Sequence, residues 1–187
     1  MMANFREVMK TVFEAEHNNN PEKVLHYNKK ESNYTLYGIY PYTKLPSWAI
    51  ARDIIKGSTS TKQASRIIAK NQIIYNDVLA WYRENFYNPM GLQYVESTHK
   101  AAEIMVFIIN VGMGRKKKAV KAIQRIVGAK VDGIIGVETL SKLNAFPEEK
   151  FSDLWDKYEV SFYENLVERA PLLSWALNGW RRRARLV

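Results

Sequence analysis

Cysteine is absent from all 187 residues, which excludes disulfides and thiol chemistry. Histidine is scarce. His17, His26 and His99 show no metal-ligand spacing, so neither a metal nor a cofactor is expected. Long apolar runs are missing too. The longest strongly apolar stretch, residues 104–109, is far too short to span a bilayer, so no stable membrane insertion is expected. The opening residues Met1-Met2-Ala3-Asn4-Phe5-Arg6-Glu7 lack the basic region, apolar core and small-residue cleavage site of a secretory leader. A protein made in the cytoplasm is the expectation. Internal repeats, long linkers and low-complexity tracts are also absent.

What is present is apolar and basic. Hydrophobic residues make up 47% of the chain, enough to bury a core and to exclude disorder as the main state. The length fits one compact domain over residues 1–187, expected to be monomeric. A formal charge of +9 points to a polyanionic partner: nucleic acid, an anionic membrane or a cell-wall polymer. The 11 Tyr and 5 Trp suit carbohydrate stacking, but they suit an ordinary core equally well.

Hydrophobic spacing predicts a mainly α fold with a small β-hairpin near residues 34–40. The first helix covers residues 4–17. Asn20-Pro21-Glu22 reads as a cap and first turn of a short second helix reaching about Tyr27. Tyr34-Thr35-Leu36-Tyr37-Gly38-Ile39-Tyr40 has the aromatic and β-branched content of one or two strands. A helix of about ten residues follows Ser47. A long helix begins at Ser60, with Gln63 at capping-box spacing, and runs to the break at Asn88-Pro89. Residues 97–111 form a mostly apolar central helix. Further helices follow over residues 119–127 and 137–143, after Pro147, and at the C-terminus.

Glu16 is the residue that breaks the first helix's pattern. Phe5, Val8, Met9, Val12 and Phe13 define its apolar face, and at about 100° per residue Glu16 falls within that arc. Burying an ionised carboxylate is costly, so such a group is paired, hydrogen-bonded or kept protonated. A carboxyl kept protonated is what a general acid requires. A structural ion pair, or a last turn bent into solvent, is the more ordinary explanation of the position.

Thr35 follows 19 residues later. In a β segment it shares a face with Tyr37. It either positions water or a sugar hydroxyl, or is simply a good strand former. The basic run Arg115, Lys116, Lys117, Lys118, Lys121 and Arg125 is a solvated helix face or a binding site. The glycines and Thr139 of residues 132–139 serve turns and a helix start, or touch a ligand.

A helix ending in Glu, a polar loop and a small β element with Thr is the layout of lysozyme-like folds. The chain resembles the N-acetylmuramidases of glycoside hydrolase family 108 with their peptidoglycan-binding C-terminal half. Four segments carry the resemblance, in the family's order: Phe13-Glu14-Ala15-Glu16; Tyr34-Thr35-Leu36-Tyr37-Gly38-Ile39; Asn110-Val111-Gly112 leading to Asp132-Gly133-Ile134-Ile135-Gly136-Val137-Glu138-Thr139; and Asn178-Gly179-Trp180-Arg181-Arg182-Arg183. Two segments depart from it. His17-Asn18-Asn19 replaces the family's Gly-Gly-Tyr, and the Asp-Pro-Gly-Gly before the family's Thr becomes Lys30-Glu31-Ser32-Asn33-Tyr34.

The resemblance implies a catalytic half over residues 1–95 and a helical, peptidoglycan-binding-like half over residues 96–187. It implies cleavage of the β-1,4 bond between N-acetylmuramic acid and N-acetylglucosamine, with Glu16 as general acid. Thr35 would orient water, and Glu31, ahead of Asn28, would stand in for the missing acidic partner. Tyr37, Tyr40, Trp48 and Asn110 would contact the glycan. Peptidoglycan strands are then the partner, and no specific nucleic acid is expected. A phage or prophage endolysin, held in the cytoplasm until a pore releases it to the cell wall, fits the absent leader. The alternatives are a non-catalytic peptidoglycan-binding protein and a basic, helical nucleic-acid-binding protein.

Overall fold

The computed structural model describes residues 2–29 and 32–184. Among these the chain is mainly helical, with one small two-stranded antiparallel sheet, as the hydrophobic spacing predicts. It divides into two compact units, Glu16–Asn85 and Met1–Ala15 with Phe86–Val187.

Helix α1 (Phe5–His17) links the two units in sequence. The Asn4 side chain accepts hydrogen bonds from the Arg6 and Glu7 amides at 3.0 and 3.4 Å, which caps its start. Phe5, Val8, Met9, Val12, Phe13 and Ala15 are buried. The helix stops because Asn18 and Asn19 both take left-handed backbone angles (φ 54° and 48°), which Asn tolerates better than most residues.

In the Glu16–Asn85 unit, strands β1 (Leu25–Asn28) and β2 (Asn33–Leu36) pair antiparallel. The register sets Leu25 against Leu36, His26 against Thr35, and Tyr27 against Tyr34. No helix runs from Pro21 to Tyr27, contrary to expectation. The Asn20 side chain accepts from the Glu22 amide at 2.8 Å and closes a turn, after which residues 25–28 find backbone partners in β2. Three helices complete this unit: α2 (Trp48–Lys56), α3 (Thr61–Ala69) and α4 (Gln72–Tyr82). The single long helix expected from Ser60 is thus two. Asn71 interrupts it, its side chain accepting from the Ile73 and Ile74 amides at 3.1 Å each as the cap of α4. Ser65 of α3 fastens the hairpin, accepting from the Leu25 amide at 3.1 Å and donating to the Pro21 carbonyl at 2.8 Å.

The other unit is organised around α5 (Thr98–Val111), buried continuously from Lys100 to Ile108. Helices α6 (Lys116–Val127), α7 (Val137–Ala145), α8 (Glu148–Arg169) and α9 (Ser174–Arg183) complete it. Phe107 of α5 sits among the rings of Trp155, Tyr158, Phe162 and Tyr163 on α8, at 5.2–6.1 Å between centroids. Lys100 is only 2% exposed. Its ammonium donates to the Leu143 carbonyl at 2.7 Å and to that of Phe146, satisfying the end of α7. Among the described residues, no helix is long and apolar enough to cross a membrane.

Candidate functional site

Glu16 lies in the last turn of α1 and is exposed, although its helical angle matches the buried face. The expectation of a buried carboxylate therefore fails. The physical reason is position along the axis: α1 ends one residue later, so its core-facing side opens to solvent at that turn. Next to it, His17 is half-buried. Burial lowers its imidazole pKa, and its ring meets Tyr37 edge-on at 5.9 Å.

Tyr37 and Gly38 form a tight turn beyond β2, both with positive φ (49° and 80°). Leu36 and Ile39 exchange two backbone hydrogen bonds of 2.9 Å across it. Tyr37 is therefore out of the strand and shares no strand face with Thr35. The Tyr82 hydroxyl of α4 donates to the Tyr37 carbonyl at 2.7 Å and lies 3.3 Å from where a Gly38 Cβ would sit. Burial, and then the nearby Glu16 carboxylate, push the Tyr82 phenol up, so it remains a neutral donor. Burial likewise pushes Tyr37 up to about 12. Glu16 is thus electrostatically linked to the residue that pins the hairpin turn.

The other anticipated residues fall in different places. Thr35 is half-buried on β2, opposite the exposed His26. Tyr40 is half-buried and stacks on Tyr42 at 5.2 Å, and Tyr42 is 73% exposed. Trp48, expected to line a groove, is 3% exposed. Its indole N–H donates to the Tyr40 carbonyl at 3.2 Å, so it supports that loop from the core. Asn110 belongs to the other unit, where its amide donates to the Val106 carbonyl at 2.9 Å within α5. Glu31 lies outside the described residues. The hairpin also carries an aromatic pair, Tyr27 and Tyr34, directly cross-strand at 4.9 Å; Tyr34 lies in the expected β segment, whereas Tyr27 is expected at the end of a helix. Among the described residues, no group of three or more His, Asp or Glu is disposed to hold a metal.

Residues 132–139 form a second distinctive element. Gln124 of α6, 1% exposed, sits at its centre. Its side-chain amide donates to Asp132 Oδ1 at 2.8 Å, to the Ile134 carbonyl at 2.9 Å and to Thr139 Oγ1 at 3.1 Å. Its oxygen accepts from the Gly133 amide at 2.8 Å. Asp132 also accepts from the Ile134 amide at 2.8 Å, and these bonds hold its carboxyl below the usual range. Gly133 has φ 82°, and a Cβ there would lie 2.7 Å from Lys117 Cγ. Polar groups of the motif are consumed in shaping the loop. Gln124 was missed in the sequence, although a Gln on the apolar stripe beside Ile123 and Val127 was the available signal.

Residues 118–185 match a family model described as "Predicted Peptidoglycan domain". The matched segment runs from the first turn of α6 through α9, including the Gln124-centred loop. A search of curated proteins returns no match. Among solved structures, the chain is similar to Brucella abortus SagA, with a TM-score of 0.57 and 21% identity over 97% of this chain and 92% of that chain. At that identity the similarity concerns the fold. The match to the peptidoglycan family model links the C-terminal helices to the cell wall.

Proposed function

We propose that this protein is a peptidoglycan hydrolase of the muramidase type, cleaving the β-1,4 bond from N-acetylmuramic acid to N-acetylglucosamine. The observation that carries the reading is Glu16 itself: a carboxylate at the solvent-open end of a core-facing helix surface, linked through Tyr82 to the hairpin that bears Thr35. The peptidoglycan family match and the resemblance to glycoside hydrolase family 108 support the choice of polymer.

In this mechanism, Glu16 donates its proton to the glycosidic oxygen as the bond to the muramic acid ring breaks. Bound glycan displaces water from the exposed carboxyl and favours its protonated form. Water, or a second carboxylate for which Glu31 is the candidate, completes the displacement on the opposite face, with Thr35 orienting that water or stabilising the intermediate. The exposed aromatic edge of the hairpin and the Tyr40–Tyr42 stack offer surfaces for sugar rings, with Tyr37 and Trp48 as their support. The net charge of +9 draws the protein to an anionic wall, so activity falls with added salt. Release from the cytoplasm by a pore, as for an endolysin, completes the reading.

The test is to incubate the protein with purified sacculi and identify the new ends. New reducing ends on muramic acid are expected. Ends on glucosamine or new peptide amines would overturn the bond assignment. A binding-only protein is the second reading, favoured by the exposure of Glu16, which leaves all desolvation of the acid to the ligand.

A further inference from the structure

Helices α6 and α8 enclose a pocket of about 470 Å³ that the muramidase mechanism does not use. This is within the size range of small-ligand sites. The residues forming it come from regular helical spacing. Arg115, Lys118, Lys121 and Arg125 recur every three or four residues along one side of α6 and the turn before it. Arg169 adds a fifth cation from the end of α8. The lining includes no carboxylate, and among the described residues none of these five cations forms an ion pair. Like charges gathered without counter-charges repel one another, and an anionic ligand would relieve that cost.

The floor is of a different kind. Tyr158, Phe162 and Leu166 of α8 supply it. The Tyr158 ring lies 5.6 Å from Phe107 and 5.2 Å from Trp155, and Phe162 meets Phe107 edge-on at 5.2 Å. The rings are therefore fixed by the core rather than free to form an open stacking platform. Burial and the neighbouring Glu159 push the Tyr158 phenol up to about 12, with Arg125 opposing, so its hydroxyl stays a neutral hydrogen-bond donor. The site combines five cations, the neutral Tyr158 hydroxyl, the polar side chains of Ser161 and Asn165, and an apolar floor in a concave space. That chemistry suits a short, carboxylate-bearing peptide with small apolar side chains better than an extended phosphate backbone.

We infer that the α6–α8 pocket binds the carboxylates of the peptidoglycan stem peptide, holding the wall by its peptide while the Glu16 unit addresses the glycan. This occupant rests on the peptidoglycan reading of the protein. The pocket lies almost wholly within the residues matched by the peptidoglycan family model.

The test uses the full chain and a soluble disaccharide–tetrapeptide, which contains no bond for a muramidase to cut. Binding is followed by calorimetry. Three further probes are the same muropeptide with amidated carboxylates, a peptide-free chitooligosaccharide, and a single-stranded oligonucleotide. The inference expects binding of the muropeptide that weakens about tenfold or more on amidation, because amidation removes the charge-assisted hydrogen bonds. The double variant Lys121→Ala/Arg125→Ala should show the same loss with an unchanged melting temperature, and Arg125→Lys should recover part of it.

Muropeptide binding that ignores both amidation and the double variant would overturn the pocket assignment while leaving the peptidoglycan reading intact. Oligonucleotide binding that the double variant abolishes, without muropeptide binding, would overturn the occupant. Absence of binding to every probe would overturn the site, and hydrolysis of sacculi would still report separately on Glu16.

Discussion

The region around Glu16 and the loop at residues 132–139 use polar groups in opposite ways. In the loop, Asp132, Thr139 and the buried Gln124 bond one another and the local backbone, leaving little polar capacity for a ligand. Its exposed surface is apolar instead, with Ile134 and Val137 facing solvent. Around Glu16, the backbone turn is held from behind by Tyr82, and the carboxylate is left at the surface. A distinctive motif can therefore mark architecture, while a less distinctive residue at a helix end is left at the surface. The two regions should respond differently to substitution.

The largest stability effect is expected at the loop. Gln124→Leu removes four hydrogen bonds and leaves the Gly133 amide and Asp132 without their buried partner. A loss of roughly 2–4 kcal/mol is expected, since unsatisfied buried groups cost about 1–3 kcal/mol each and the loop can relax partly. Chemical denaturation checks it. An effect below about 0.5 kcal/mol, typical of surface sites, would break the view of this loop as architecture.

A comparable effect depends on pH. Glu103 of α5 is buried, and desolvation raises its carboxyl from 4.5 to about 8; Asp156 and Glu148 also raise it, while Ser152 and Lys100 oppose. His99 lies 3.6 Å away. Because the folded value exceeds the unfolded one, the native state holds a proton that the unfolded chain releases between those values. The stabilisation is complete below pH 4.5 and is lost as pH rises through about 8. Glu159, close by and also raised by burial, adds to the same slope. Glu103→Gln should flatten it and stabilise the protein by roughly 1–3 kcal/mol at alkaline pH. Melting temperatures across that range read the difference, and parallel curves for wild type and variant would contradict it.

Two smaller effects sharpen the contrast. Gly133→Ala meets both a left-handed backbone and the Lys117 side chain, and a loss of about 1–2 kcal/mol is expected. Tyr82→Phe removes one hydrogen bond to the hairpin turn and should cost about 1 kcal/mol. If the hairpin positions the chemistry, Tyr82→Phe lowers sacculus hydrolysis more than its stability loss explains, whereas Gly133→Ala does not. Equal losses of activity from the two variants would erase the distinction.

Much of the helical frame was legible because apolar periodicity reports burial directly. The faces of α1, α5 and α6 appear in the sequence as they appear in the fold. Strand β1 was not legible. Asn20-Pro21-Glu22 has the local form of a helix start, and only pairing with β2 makes residues 25–28 extended. The break at Asn71 was written in a capping residue, but the strong apolar pattern on both sides concealed it. At the candidate site, Glu16's angular position was correct and its burial was not, because a helical wheel has no coordinate along the axis. Trp48 could not be separated from a surface aromatic by composition, since its burial depends on the Tyr40 loop folding over it. The joining of α6 cations and α8 rings into one pocket is likewise a tertiary fact.

The most direct test of the central claim pairs two measurements on Glu16→Gln, an isosteric change at an exposed site. Hydrolysis of sacculi should fall by about 10²–10⁴-fold, the usual contribution of a general acid, while sacculus retention and melting temperature stay at wild-type levels. Wild-type hydrolysis that survives Glu16→Gln, or a wild-type protein that binds sacculi without releasing any fragment, would contradict the account.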